Sequence, residues 1–392
     1  MRVVGIVAEY NPFHNGHQFH IEQAKQLTHA DAVIVVMSGN FVQRGAPAIM
    51  PKHQRAEAAL KAGADLVIEL PVYYATGSAE IFATGAISIL NYLGCVDAIC
   101  FGSECGDIGI LKELAHVFCD EPLHYKEELQ HYLRLGYSFP SARQQAIKNL
   151  YPNENYENIL EQPNNILGIE YLKALKQIQS DITPYTITRI VSKYHDVELK
   201  EKLSSATAIR EQLSKHGLLN IEHQVSADSM EIMQMYHKKR FPVYLDDFSL
   251  LLKYRLLNET KATLATYADV SEELANRICK KRNEFVSFEQ FCELLKTKEL
   301  TYSRISRALL HILLNIKKEA SHELKYARML GFRKDNTELL TIIKKTSSIP
   351  LVTKFEDEES EDVFASNLYE SVITEKFKTP FTNEYEHPIV RI

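Results

Sequence analysis

Five short runs rich in Val and Ile set the frame of this chain: "VVGIVAEY" at 3–10, "AVIVVMS" at 32–38, "ADLVIELPV" at 64–72, "VDAICFGS" at 96–103 and "YTITRIV" at 185–191. None alternates apolar with polar residues as a half-wet strand does, so each is expected to be a strand covered on both faces. The stretches between them are long enough for crossover helices, and strand–helix–strand repetition builds a parallel α/β sheet. After residue 225 the period changes. "FEQFCELLKTKEL" and "SRISRALLHILLNIKKEA" repeat apolar residues three and four apart, as amphipathic helices do. A chain of 392 residues exceeds what one core usually organises. Two domains are therefore expected: a parallel-sheet domain over 1–225 and a mostly α-helical domain over 226–392, the last sixty residues carrying only weak element signals.

Several classes drop out on composition. The chain is 45% hydrophobic but holds no apolar run near the 18 or so residues of a membrane span. Its first residues read as a strand rather than a secretion signal, so a cytoplasmic protein is expected, with no membrane partner. The six cysteines contain no C-x-x-C pair and fit reduced thiols better than a disulfide framework. The net charge of −6 argues against indiscriminate nucleic-acid binding, and no DNA partner is expected. Charge is unevenly spread, however. Residues 271–328 hold twelve Lys and Arg against eight Asp and Glu, while "EDEESED" at 356–362 reads as a solvated acidic loop.

The stretch "VGIVAEYNPFHNGHQFHI" runs from the first strand straight into a turn with two histidines. Ligands of open parallel sheets bind beyond the carboxyl ends of the strands, where this turn must lie, the strand ending at Glu9 or Tyr10. Pro12 biases Asn11 away from helix, and Gly16 permits a close turn before the helix that "HQFHIEQAKQL" begins. Free N–H groups at that helix start attract anions, and two imidazoles with ordinary pKa values near neutrality can become charged beside a phosphate. The stretch reads as a nucleotide phosphate site.

"EYNPFHNGH" resembles the nucleotidyltransferase signature G-x-F-x-P-x-H-x-G-H, with His14 and His17 on the motif histidines and Glu9-Tyr10-Asn11 departing from the usual G-x-F-[DST]. Together with "MSGNFVQRGAPA", "KHQRAEAALKAGADLVIELP", "FGSE", "PNNILGIEY" and "LSSATAIR", it is similar to the bacterial tRNA(Met) cytidine acetate ligase family over essentially the whole chain. The resemblance implies a Rossmann-like nucleotidyltransferase domain. It implies that ATP activates acetate as acetyl-adenylate, and that the acetyl group then passes to the exocyclic amine of the wobble cytidine of elongator tRNA(Met). His14 and His17 would be catalytic. Val7, Ala8, Glu9, Tyr10, Asn11, Pro12, Phe13, His14, Asn15, Gly16, His17, Gln18, Phe19 and His20 would form the ATP segment, completed by Gly102, Asn164 and Arg189. Asn165 is an equally plausible amide on sequence alone.

"LSSATAIR" occupies the place of a serine-rich second signature, in which Ser204 or Ser205 would cap a helix and Arg210 would help hold the β and γ phosphates. For acetate the loop after the second strand offers Gln43, Arg44, Lys52, His53 and Arg55, without a way to choose among them. No carboxylate cluster marks a metal cage, so magnesium is expected to ride on the ATP phosphates. In the helical half, Lys280, Lys281, Arg282, Arg304 and Arg307 interleave with Phe285, Phe288 and Tyr302, the residue types that phosphate backbones and unstacked bases require. Two other functions use the same features: adenylyl transfer to a small phosphorylated metabolite, which leaves the helical half without a role, and non-enzymatic RNA binding, which leaves the histidines without one.

Overall fold

The structure, a computed structural model, describes residues 1–392 apart from 153, 155, 190–204, 298, 320–321 and 355–359. Five parallel strands form its centre: β1 (Val3–Ala8), β2 (Ala32–Ser38), β5 (Leu66–Leu70), β6 (Ala98–Ser103) and β7 (Thr183–Thr188), in the order β5-β2-β1-β6-β7. Between β2 and β5 stands a separate small hairpin, β3 (Phe41–Val42) and β4 (Ala46–Pro47). Every residue of β2 and β5 is buried, as the unalternated runs require. Successive side chains leave by opposite faces. Ile34, Val36, Leu66 and Ile68 share a core with helices Ala79–Tyr92, Ile108–Asp120 and Pro163–Gln177, whereas Val33, Val35, Met37 and Val67 share another with α1 (Asn15–Thr28), α2 (Lys52–Lys61) and helix Ala206–His216.

The half after residue 225 is mostly helical, as the pattern implies, and it also sends three strands to the sheet. β8 (Ala327–Phe332) pairs antiparallel with β5, and β9 (Leu351–Val352) and β10 (Val390–Arg391) pair parallel with β8. The sheet is thus mixed and takes strands from both sides of residue 225. These late strands cover the open edge of β5, whose unpaired N–H and C=O groups would otherwise face a buried environment. Two of them are two residues long, too short to leave a sequence period. The helical core is drawn mainly from 243–316 and 365–373, joined by Phe41 and Val72, with Phe248, Phe288, Phe291, Leu309 and Tyr369 among its buried members. The fifth strand ends at Thr188, and residues 190–191 lie outside the described residues, as do Ser204 and most of the acidic run at 356–362.

A buried ion cluster joins these parts. Lys52 Nζ lies 2.7 Å from Glu69 Oε1, 2.8 Å from Glu384 Oε1 and 2.9 Å from Ser366 Oγ. All six cysteines are free, and among the described residues no helix is long and apolar enough to cross a membrane.

Candidate active site

The chain leaves β1 toward β2 and β5 on one side and later enters β6 and β7 on the other, so the strand order reverses at β1. Such a reversal opens a crevice beyond the carboxyl ends of the strands. A cavity of about 650 Å³ lies there. Val7 to Asn11, His14, Gly16, His17, Phe19 and His20 line it from β1 and α1, Gly102 and Thr188 from β6 and β7, and Gln43 and Arg44 from the β3–β4 hairpin.

The H-x-x-H spacing does a specific structural job. His14 is the N-cap of α1, its Nδ1 accepting from the Gly16 N–H at 3.0 Å, and the N–H of His14 in turn donates to His17 Nδ1 at 3.3 Å. This is a reciprocal capping box built from two imidazoles. Because both Nδ1 atoms accept backbone N–H groups, the proton of each neutral ring sits on Nε2, the nitrogen left to donate to a ligand. The rings stack with centroids 3.7 Å apart. Tyr10 and Phe13, both buried, press on His17 from the other side, with Tyr10 held at a left-handed φ of 48°. His20 donates Nε2–H to the Cys100 carbonyl at 3.2 Å and so ties α1 to β6.

Electrostatics correct one expectation. Burial drives the His14 pKa down to about 3, with Arg189 and Arg210 adding repulsion, and drives His17 well below its ordinary value. In the ligand-free cavity both rings are therefore neutral donors. The fixed positive charge comes from arginine. Arg189 donates from Nη1 to Asn164 Oδ1 at 3.1 Å, and Asn164 in turn donates to Glu104 Oε1. Arg210 donates to the Asn11 carbonyl at 2.7 Å and to Thr207 Oγ1 at 3.1 Å. Burial lowers the proton affinity of each, and Glu104 and Glu9 respectively offset it. Ser205 caps helix Ala206–His216 by accepting from the Ala208 N–H at 3.2 Å, so the serine-rich segment does present a helix N-terminus to the cavity.

Gly102 leaves room for Arg189. A Cβ there would stand 3.1 Å from Arg189 Cγ. Asn164 lines the cavity, whereas Asn165 is buried and committed, accepting from the Glu104 and Cys105 N–H groups and donating to the Ile159 carbonyl. Of the loop residues, Arg55 is fully spent on carbonyls of Glu9, Ser38, Gly39 and Met50, and so fixes the carboxyl ends of β1 and β2. Among the described residues no group of three or more His, Cys, Asp and Glu side chains is arranged to hold a metal ion.

A sequence profile described as HIGH Nucleotidyl Transferase matches residues 1–384. The chain is 43% identical, over 405 aligned positions and the full length of both proteins, to the tRNA(Met) cytidine acetate ligase of Thermoanaerobacter sp. (strain X514). It is 40% identical to that of Alkaliphilus metalliredigens (strain QYMF), over 94% of this chain and 91% of the relative. Thermotoga maritima TmcAL bound with alpha-thio ATP superposes over the whole of both chains with a TM-score of 0.91 at 34% identity. The chain belongs to the HIGH nucleotidyltransferases, in the tRNA(Met) cytidine acetate ligase family.

Against that family assignment, four residues of the anticipated ATP segment do not line the cavity. Pro12 and Phe13 lie buried behind the turn, and Gln18 faces outward, where it donates to Glu22. Asn15 is turned to the 221–225 segment, donating from Nδ2 to the His223 carbonyl. For Asn15 and Gln18, position along α1 decides this, since only part of a helical turn can face one cavity. The sequence reading missed Phe82, Phe101, Tyr171 and Ile187, which supply apolar wall; Phe101 and Tyr171 stand inside "FGSE" and "PNNILGIEY", but like the other two they read as ordinary core residues.

The basic and aromatic residues of the helical half divide as well. Phe288 is core, and Phe285 packs on Phe291 with Lys253 over its ring. Arg307 is held by Asp269 at 3.0 Å, and Arg282 donates to the carbonyls of Leu256 and Glu259. Lys281 pairs with Glu284, whereas Lys280 and Arg304 are exposed.

Proposed function

We propose that this chain joins acetate to a tRNA(Met) cytidine at the expense of ATP, by way of acetyl-adenylate. The observation that carries the reading is the capping box of His14 and His17, which sets two neutral Nε2–H donors on the wall of a cavity at the switch point of the sheet, in a chain that aligns end to end with acetate ligases.

A carboxylate oxygen of acetate attacks the α-phosphorus, the bond to the β-phosphate oxygen breaks, and pyrophosphate leaves. The chemistry needs position and charge stabilisation rather than an enzyme nucleophile. The Nε2–H groups of His14 and His17, with the N-terminus of α1, meet the negative charge that grows on the phosphoryl oxygens. Arg189 and Arg210 supply fixed positive charge, and helix Ala206–His216 offers a second anion-facing N-terminus. Magnesium would accompany the triphosphate and be held mainly by it. In the second step the exocyclic amine of the elongator wobble cytidine attacks the acetyl carbonyl and gives up a proton, and AMP departs. The helical core, with Lys280 and Arg304 exposed, is the proposed tRNA-facing part. A cytoplasmic location fits this substrate.

Two measurements with purified protein test the reading: acetate-dependent release of pyrophosphate from ATP, and incorporation of labelled acetate into tRNA(Met). Pyrophosphate release driven by a phosphorylated metabolite but not by acetate would replace it with the adenylyltransferase reading, and RNA binding without any turnover would replace it with the non-enzymatic one.

A further inference from the structure

The segment after β2 offers five polar side chains near the cavity: Gln43, Arg44, Lys52, His53 and Arg55. The structure removes three of them. Lys52 is locked between Glu69 and Glu384, His53 is buried against Glu384 and the His387 ring, and Arg55 is spent on main-chain carbonyls. Gln43 and Arg44 line the cavity, and the N–H of Gln43 is taken by Glu9 Oε1 at 3.0 Å. The Arg44 guanidinium has no hydrogen bond or ion pair among the described residues. Arg210, by contrast, is committed to the Asn11 carbonyl and to Thr207 Oγ1.

The place of Arg44 says which anion. His14, His17 and Arg189 face the cavity from β1, α1 and the β6–β7 side, while Arg44 faces it from the β2 side, beside an apolar wall of Val42, Ala46, Pro47, Ala79 and Phe82. In-line displacement puts the attacking oxygen opposite the leaving pyrophosphate. The incoming acid and the triphosphate tail therefore occupy different ends of the cavity. A charged fork beside an apolar wall matches a carboxylate with a methyl group behind it. The hairpin that carries Arg44 is held from outside the sheet domain. Ser306 Oγ donates to the Gly45 carbonyl at 2.8 Å, and at φ 78° Gly45 fits where a Cβ would run into the backbone nitrogen of Arg307. Arg44 is thus presented from a fixed turn.

We propose that Arg44 binds the carboxylate of the acyl substrate, with Val42, Ala46 and Phe82 facing its methyl group. This rests on the acetate-activating reading above. The test is acetate-dependent ATP–pyrophosphate exchange by the parent protein, Arg44→Met and Arg44→Lys, with each substrate varied at saturation of the other. Loss of a charge-assisted fork raises the acetate KM of Arg44→Met about tenfold to a hundredfold. The ATP KM stays within about twofold, and Arg44→Lys recovers part of the loss because it keeps the charge without the fork. Arg44 is exposed and the melting temperature stays put. A rise in ATP KM with acetate KM unchanged would assign Arg44 to the triphosphate and overturn the proposal, as would no change in either. Absence of acetate-dependent exchange in the parent itself would overturn the acetate reading first, and this inference with it.

Discussion

His14 carries two roles on one ring, and a pair of substitutions separates them. Its Nδ1 caps α1, and its Nε2–H is the donor left for ligand. Asn is among the strongest N-cap residues, so His14→Asn keeps the cap while removing the donor. His14→Ala removes both. The cap is worth about 1 kcal/mol of stability, and a donor to developing charge is worth about 2.7 kcal/mol or more, a hundredfold in rate. Acetate-dependent pyrophosphate release should therefore fall by about a hundredfold in both variants. Both also lose the 3.7 Å stacking on His17, so only His14→Ala should show the further cap loss in urea denaturation. The fall should appear in kcat rather than in the ATP KM, since the interaction strengthens in the transition state. Turnover of His14→Asn within threefold of the parent, or a loss confined to ATP KM, would refute the role assigned to Nε2.

Acid should destabilise the fold through the same rings. The folded pKa of His14 is lowered to about 3 and that of His20 to about 4, both chiefly by burial, so below pH 6.5 the unfolded chain takes up protons that the folded chain refuses. Stability is retained above pH 6.5 and falls from there toward the folded values, by up to about 1.4 kcal/mol per pH unit for each ring. Melting temperature against pH should fall less steeply in His14→Asn, and equal slopes would contradict the buried neutral ring. Lys52→Met leaves Glu69 without its cation in the interior and Glu384 with Arg328 in place of two cations, and should cost about 3–5 kcal/mol in urea denaturation; a cost under about 1 kcal/mol would show the cluster to be incidental. Neutralising the exposed Lys280 and Arg304 should weaken tRNA binding and reduce its log–log salt slope by roughly 0.7–0.9 for each phosphate left without its cation, with acetate-dependent pyrophosphate release intact. Arg307→Gln should act on stability instead, through its partner Asp269.

Local pattern was enough for much of this protein. The Val and Ile runs declared five parallel strands, and β2 and β5 are buried throughout because a strand covered on both faces has no wet side to mark with polar residues; β7, at the edge, has no fully buried residue. The two histidines stood in the turn after the first strand, where open parallel sheets take ligands, and both line the cavity there. What sequence could not supply was whatever depends on partners distant along the chain. The short strands β9 and β10 pair only because β8 brings a sheet edge to them, and β8 itself exists as a strand by lying against β5. Asn164 and Asn165 are adjacent and chemically identical, and only the fold turned one to the cavity and closed the other on Glu104 and Cys105. Lys52, Arg55 and Arg44 looked interchangeable as anion ligands. Tertiary structure gave the first two buried partners and left the third facing the cavity, because a side chain's availability is set by what the rest of the chain brings to it, not by its own chemistry.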